Sequence, residues 1–362
     1  MKPIQSLSII FLLFSIVLLC VSIPPVFGKA PDTAKIVFAS FRDGNREIYL
    51  MNPDGSQQVN ITNHPAEDVY PVWSPTGEHI LFVSDRDGVR DLYLMDADGG
   101  NVRKIFGKSE HRAHPTWSPD GKRIAYEQLD GAAWFIYTAE IARKKEQRIA
   151  VGRSPSWSPD GTEIVFVSLG KKHEMLAPNL WIIRRLSQVH FFDLRTRVEE
   201  TFLPNHHPFM DRTAWSPSGD KLAFFWLKHD FWKEKLKRAQ NRGVDFAEVD
   251  IQDVRDKGTI YIANRDGTGL QQIVDEAGAQ ARDPIWSPRG DALIYTQAID
   301  DHLQLFKIDL GSRTPIQLTH VVGLARFQAN SLADWFDPAY ALPVSPQPQL
   351  LTKQWGKIKT GN

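Results

Sequence analysis

Short runs of apolar residues recur along the chain, each four to six residues long and each followed by a polar turn. They include His79-Ile80-Leu81-Phe82-Val83, Arg123-Ile124-Ala125-Tyr126, Glu163-Ile164-Val165-Phe166-Val167, Lys221-Leu222-Ala223-Phe224-Phe225 and Ala292-Leu293-Ile294-Tyr295. Their length and β-branched or aromatic content predict strands. A second set follows each at a short distance: Glu47-Ile48-Tyr49-Leu50-Met51, Asp91-Leu92-Tyr93-Leu94-Met95 and Thr259-Ile260-Tyr261-Ile262. Between the sets lie turns such as Arg42-Asp43-Gly44-Asn45 and Arg86-Asp87-Gly88. Turns such as Asn52-Pro53-Asp54-Gly55 and Asn264-Arg265-Asp266-Gly267 come after the second set. Asp-Gly between alternating strands is a strong hairpin signal, because Gly accepts the positive φ that the turn requires.

One five-residue motif sets the period. Trp73-Ser74-Pro75-Thr76-Gly77 recurs at Trp117, Trp157, Trp215 and Trp286, with a decayed copy at Trp335-Phe336-Asp337-Pro338. The Trp-to-Trp spacings are 44, 40, 58, 71 and 49 residues. A base period near 40–45 residues matches one four-stranded propeller blade. Ser-Pro-Asp-Gly supplies a capping hydroxyl, a fixed φ, an acid that folds back on the backbone and a Gly. The recurring Trp is expected to pack between neighbouring blades. The chain enters at a second strand, Lys35 to Ser40, and leaves on an inner strand, Ala333 to Phe336. That last strand is therefore expected to complete the first blade and close the ring, which removes free sheet edges.

Together these motifs resemble the repeat of TolB-type six-bladed β-propellers over roughly Lys35 to Asp337. The resemblance implies an all-β fold of six four-stranded antiparallel blades. TolB-type proteins carry an α/β domain ahead of the propeller. Here only Lys29 to Ala34 separate the expected cleavage point from the first strand, so partner roles of that domain are not implied.

Two spacings are long. Leu169 to Pro178 is read as a lengthened turn in blade 4 before Asn179-Leu180-Trp181-Ile182. Lys228 to Lys257 is read as an insertion in blade 5, whose first half places Trp232, Leu236 and Ala239 on one helix face with Phe231 beside them. A lid on its own propeller, a partner-binding helix and a membrane-surface helix all fit this pattern, with Phe231, Trp232 and Leu236 as its apolar surface.

Composition narrows the function classes. The 362 residues carry 43 Lys+Arg against 43 Asp+Glu, a net charge of zero, which argues against a coat for nucleic acid or for an anionic membrane. A single cysteine, Cys20, excludes a disulfide framework and Cys-rich metal sites. Ser8 to Ile23 is an apolar run with Lys2 ahead and Pro24-Pro25 behind, the pattern of a secretory signal cut before Lys29. Read as an uncleaved anchor, it falls short of the roughly 20 residues of a span. Leu19 ahead of Cys20 does not fit a lipoprotein signal. The expected organisation is a signal peptide at 1–28, a propeller at 29–340 and a tail at 341–362, exported to the periplasm or secreted as a monomer.

Residues two to five places before each Trp are expected to line one mouth of the central channel: Asp68, Tyr70, His114, Arg153, Asp211, Arg212, Arg282 and Asp283. This mixed ring suits recognition of a polar or charged group, through Arg forks for carboxylate. It equally suits a network that neutralises itself. Six of the 11 His (His64, His111, His114, His206, His207 and His320) are read as preceding inner strands; His64, in Asn63-His64-Pro65, is read as a connector. Asn60-Ile61-Thr62, a glycosylation sequon, is read as a strand end. No G-x-S-x-G, P-loop or H-E-x-x-H motif occurs. No metal, cofactor or catalytic residue is assigned. The expected function is a non-enzymatic scaffold that binds a protein or envelope component through the inter-blade-loop face. The alternative is a channel-mouth enzyme of lyase or hydrolase type, in a metal-dependent form or not, acting on a polar carbohydrate or peptide.

Overall fold

A computed structural model describes residues 29–177, 180–203, 209–227, 231–245, 258–300, 302–321 and 330–343. Six four-stranded antiparallel sheets form a ring. The inner strands are Asp68–Trp73 (blade 2), Arg112–Trp117 (blade 3), Arg153–Trp157 (blade 4), Phe209–Trp215 (blade 5), Ala281–Trp286 (blade 6) and Asn330–Phe336 (blade 1). The last of these pairs with Lys35–Ser40, so the C-terminal strand completes the first blade. Among the described residues, no helix is long and apolar enough to cross a membrane. The expected signal segment and the tail beyond residue 343 lie outside the described residues.

The motif turns interlock from blade to blade. In blade 3, Ser118 Oγ donates to Asp120 Oδ1 at 2.5 Å and accepts the Arg123 N–H at 2.9 Å. Gly121 closes the turn at φ +68°. A Cβ placed on Gly161 would lie 3.2 Å from Pro119 of the preceding motif, and the glycines at 121, 219 and 290 face Pro75, Pro159 and Pro217 in the same way. The Trp residues join the same contacts. Trp215 lies 5.5 Å from the Phe191 ring of blade 4, and Trp286 Nε1 donates to Ala214 O of blade 5 at 3.0 Å. At the seam, Trp73 meets Phe336 with ring centroids 5.4 Å apart.

The two insertions differ in kind. Blade 4 does not carry a lengthened turn. Its second and third strands continue instead, as Glu163–Ala177 and Leu180–Asp193, paired from Glu163↔Asp193 out to Ala177↔Leu180. The residues between 169 and 177 stay in register, so the added length becomes ribbon rather than loop. The blade-5 insertion opens with one helix, α1 (Phe231–Arg242), which lies against the blade-4 ribbon. Ala239 is buried and Leu236 half-buried on it. The side chains of Phe231 and Trp232, and all of residues 246–257, lie outside what is described.

Candidate functional site

Each inner strand carries the same defect. Three places before each Trp, the backbone turns left-handed: Tyr70 (φ 54°), His114 (47°), Ser154 (51°), Arg212 (50°), Asp283 (55°) and Leu332 (55°). The pairing register slips at this point in all six blades. These are β-bulges, which bend a strand and re-aim one side chain. A non-glycine residue in this region costs about 1–3 kcal/mol, and the ring repeats it six times. The result is that all six bulged residues line one central cavity of about 390 Å³.

The bulge decides which expected site residues reach the channel. Tyr70, His114, Arg212 and Asp283 line it, whereas Asp68, Arg153, Asp211 and Arg282 do not. Asp68 is fully buried inside blade 2, where both its carboxylate oxygens accept from Arg86 Nη2 at 3.1–3.2 Å. Arg153 opens instead on a neighbouring cleft with Trp134 and His111. Asp211 Oδ1 accepts the Arg212 backbone N–H at 2.9 Å, and Arg282 stays half-buried beside the bulge. Ser154 and Leu332 complete the ring and escaped the sequence reading. The constant offset from Trp is the signal that could have found them.

Within the channel the groups pair off. Arg212 Nε lies 3.3 Å from Asp283 Oδ1, and its guanidinium sits 5.6 Å from the Tyr70 ring centre. Tyr70 and His114 are in contact, with ring centroids 3.9 Å apart. His114 lies within its inner strand rather than ahead of it. Its Nδ1 is 2.9 Å from Glu127 Oε1 but off the line of a hydrogen bond, and Nε2 has no hydrogen-bond partner among the described residues. Glu127 also accepts the Ser154 N–H at 2.7 Å and faces Arg153 Nη2 at 3.4 Å. His64 is the connector the sequence implied, its Nδ1 accepting the Ala66 N–H. His206 and His207 lie outside the described residues. Among the described residues, no three His, Cys, Asp or Glu side chains gather as metal ligands do.

Burial sets the protonation of this cluster. Burial and the nearby Arg212 charge lower the His114 pKa, against the pull of Glu127. Burial pushes Asp211 up, with Arg212 opposing it. Burial disfavours the Arg212 charge, but Asp283, Tyr70 and Asp211 outweigh it and raise its pKa. Burial also pushes the Glu127 carboxyl up. His114, the Ser154 N–H and Arg153 outweigh that and bring it down from 4.5 to about 2.

A pH dependence follows. A carboxyl held below its unfolded value stabilises the fold above that value, and the contribution fades as pH falls through the folded one. Glu127→Gln should cost about 2 kcal/mol at pH 7, and the gap to the parent should close as pH falls from 4.5 toward 2. Urea unfolding across that range checks it. A gap that stays constant with pH would show that the Glu127 charge has no part in stability.

The comparisons with known proteins agree with this architecture. The TolB β-propeller domain model matches residues 20–183. No curated protein matches the sequence. Among solved structures, TolB from Acinetobacter baumannii is similar at a TM-score of 0.62 and 16% identity, covering 83% of this chain and 66% of that one. The chain thus spans just under two thirds of that TolB. A putative TolB from Agrobacterium tumefaciens is similar at 0.55 and 16%, covering 79% and 88%. Hydrazine synthase from Kuenenia stuttgartiensis is similar at 0.59 and 10%, covering 86% and 48%; at these identities the likeness is one of fold. With six bulged blades and a seam closed by the last strand, the chain is a six-bladed β-propeller, and its residues 20–183, from ahead of blade 1 into blade 4, match the TolB β-propeller domain model.

Proposed function

We propose that this chain is an exported, non-enzymatic binding scaffold that recognises a protein or another envelope component through the face carrying the inter-blade loops. One observation carries the reading. Six residues at the same structural position converge on one cavity, yet they are chemically different: Tyr70, His114, Ser154, Arg212, Asp283 and Leu332. The turns at the other end of the blades are near copies of each other. Repeated turns serve the ring, whereas varied polar groups at a cavity mouth are where recognition is expected. The apolar stretch from Ser8 to Ile23 supports export. The likeness to TolB supports an envelope setting.

Photo-crosslinking tests the choice of face. A photoreactive phenylalanine analogue at Arg90 or His111, both exposed beside the cavity mouth, should trap a specific partner in cells. The same residue at Ser218, in the blade-5 motif turn, should not. Crosslinks from Ser218 alone would overturn the reading.

A further inference from the structure

The channel wall differs between the two halves of the ring. Blades 3, 4 and 5 bring His114, Thr116, Ser154, Ser156 and Thr213 to it, one imidazole and four hydroxyls. Blades 6, 1 and 2 bring Ile285, Leu332 and Val72. The contrast holds at one and the same strand position: one place before Trp, blades 3 and 4 carry Thr116 and Ser156, and blades 6 and 2 carry Ile285 and Val72. Asp334 is the polar exception at that position in blade 1, where it accepts the Trp73 and Trp335 N–H groups.

The polar half has unused hydrogen-bonding capacity. The His114 side chain is 10% exposed, and neither ring nitrogen has a hydrogen-bond partner among the described residues. The Thr213 hydroxyl oxygen is buried and likewise unpartnered. Leaving a buried polar group without a partner costs about 1–3 kcal/mol, and native proteins leave few such groups. Two of them on one cavity wall point to a ligand that bonds there. The cavity, about 390 Å³, lies within the range of about 300–1,000 Å³ for small-molecule sites.

The chemistry of the wall selects the ligand. Arg212 and Asp283 hold each other at 3.3 Å, so the wall's cation is already matched. Burying a ligand charge without a countercharge costs far more than burying a hydroxyl. Hydroxyl groups both donate and accept, and so match other hydroxyls. A pyranose ring carries several hydroxyls at its edge and a C–H face beside them, the same division as the channel wall. We propose that the channel binds one ring of a neutral pyranose sugar, with its hydroxyls toward His114, Ser156 and Thr213 and its C–H face toward Val72, Ile285 and Leu332. This rests on the channel mouth being the recognition site and adds the class of ligand.

The test uses the full chain. Five of the motif Trp residues line the same cavity, so tryptophan emission reports its occupancy. Glucose and N-acetylglucosamine should change the emission saturably and raise the melting temperature. Glucuronate, glucosamine and cyclohexanol change the charge or the hydroxyls of the same six-membered ring, and each should bind at least about tenfold more weakly. Ser156→Ala and Thr213→Val each remove one hydroxyl and should weaken sugar binding about twofold to tenfold without lowering the melting temperature. Ser218→Ala, in a blade-5 motif turn, should bind as the parent does. Cellobiose binding more tightly than glucose would identify the ligand as the end of a glycan, and equal binding a free sugar; both support the proposal. No response to either neutral sugar at about 10 mM would overturn it. So would glucuronate or glucosamine binding as tightly as glucose, or both hydroxyl variants binding with the parent's affinity. A partner trapped at Arg90 or His111 by a chain that ignores sugars would leave the face reading standing and remove the sugar alone. Crosslinks from Ser218 alone, with no sugar response, would remove both.

Discussion

Removing the chain from Asn330 onward should abolish cooperative unfolding, because it opens the ring rather than trimming a tail. The strand Asn330–Phe336 is the inner strand of blade 1 and pairs with Lys35–Ser40. Without it, that strand becomes a free edge and blades 1 and 2 lose their shared core. Two contacts show how tightly the seam is made. Asp334, at the channel wall, accepts the Trp73 N–H at 2.7 Å and the Trp335 N–H at 2.9 Å. Phe336 packs against Trp73, and a Cβ on Gly77 would fall 2.1 Å from its ring. Burial pushes the Asp334 carboxyl up, and each of these hydrogen bonds contributes about 0.5–1.5 kcal/mol. Phe336→Ala alone should cost about 3–5 kcal/mol, a large share of a net stability of about 5–15 kcal/mol. Thermal and urea unfolding of Phe336→Ala and of the truncated chain provide the measurement. A truncated chain that melts with the parent's midpoint would mean the seam does not hold the ring.

Arg112→Met should be nearly as damaging, for an electrostatic reason. The Arg112 side chain is 1% exposed, and its guanidinium lies 3.0 Å from Asp91, which is fully buried, and 2.9 Å from Glu146. It also lies 4.3 Å from the Phe106 ring centre. Asp91 belongs to blade 2 and Glu146 to blade 3, so one cation joins two blades. Burial disfavours its charge, but the two carboxylates outweigh that and raise its pKa. Met fills similar volume but leaves Asp91 buried with its main countercharge gone. Breaking a buried pair in this way costs about 3–5 kcal/mol. The double variant Arg112→Met with Asp91→Leu should recover much of the loss, since an apolar pair of similar volume is often neutral. Urea midpoints for the two single variants and the double decide it. A single-variant loss below about 1 kcal/mol would show that water or a shifted Lys104, 3.6 Å from Asp91, compensates.

How much of this was legible follows from where the information sits. The Trp-Ser-Pro-x-Gly period, the Asp-Gly turns and the phase at the two ends are local patterns. Local turn chemistry and strand periodicity were enough to count six blades and to pair the last strand with the first. Even the decayed copy at Trp335 kept its place, although only the fold shows why Phe336 is there: it fills the space over Gly77.

The site was less legible. A plain strand alternates its faces, so counting back from Trp gave a band of candidates rather than one ring. The bulge is a backbone event, with φ near 50° at six non-glycine residues, and no side-chain pattern announces it. It separated Arg212 and Asp283 from their neighbours Asp211 and Arg282, and admitted Ser154 and Leu332. Glu127 was missed because it lies on a different strand, 27 residues before the Ser154 N–H it accepts. The long blade-4 segment read as a turn because its apolar and basic residues do not alternate, yet its backbone pairs rung by rung. The repeat and the blade count were legible because each motif is a local turn within one blade's length of chain, and the closure because the phase at the two ends leaves the first blade one inner strand short, although the pair that closes it joins the two ends of the propeller. Which polar groups meet in the channel, and what leaves the ring, was decided only in three dimensions, because both depend on how separate blades set each other's register.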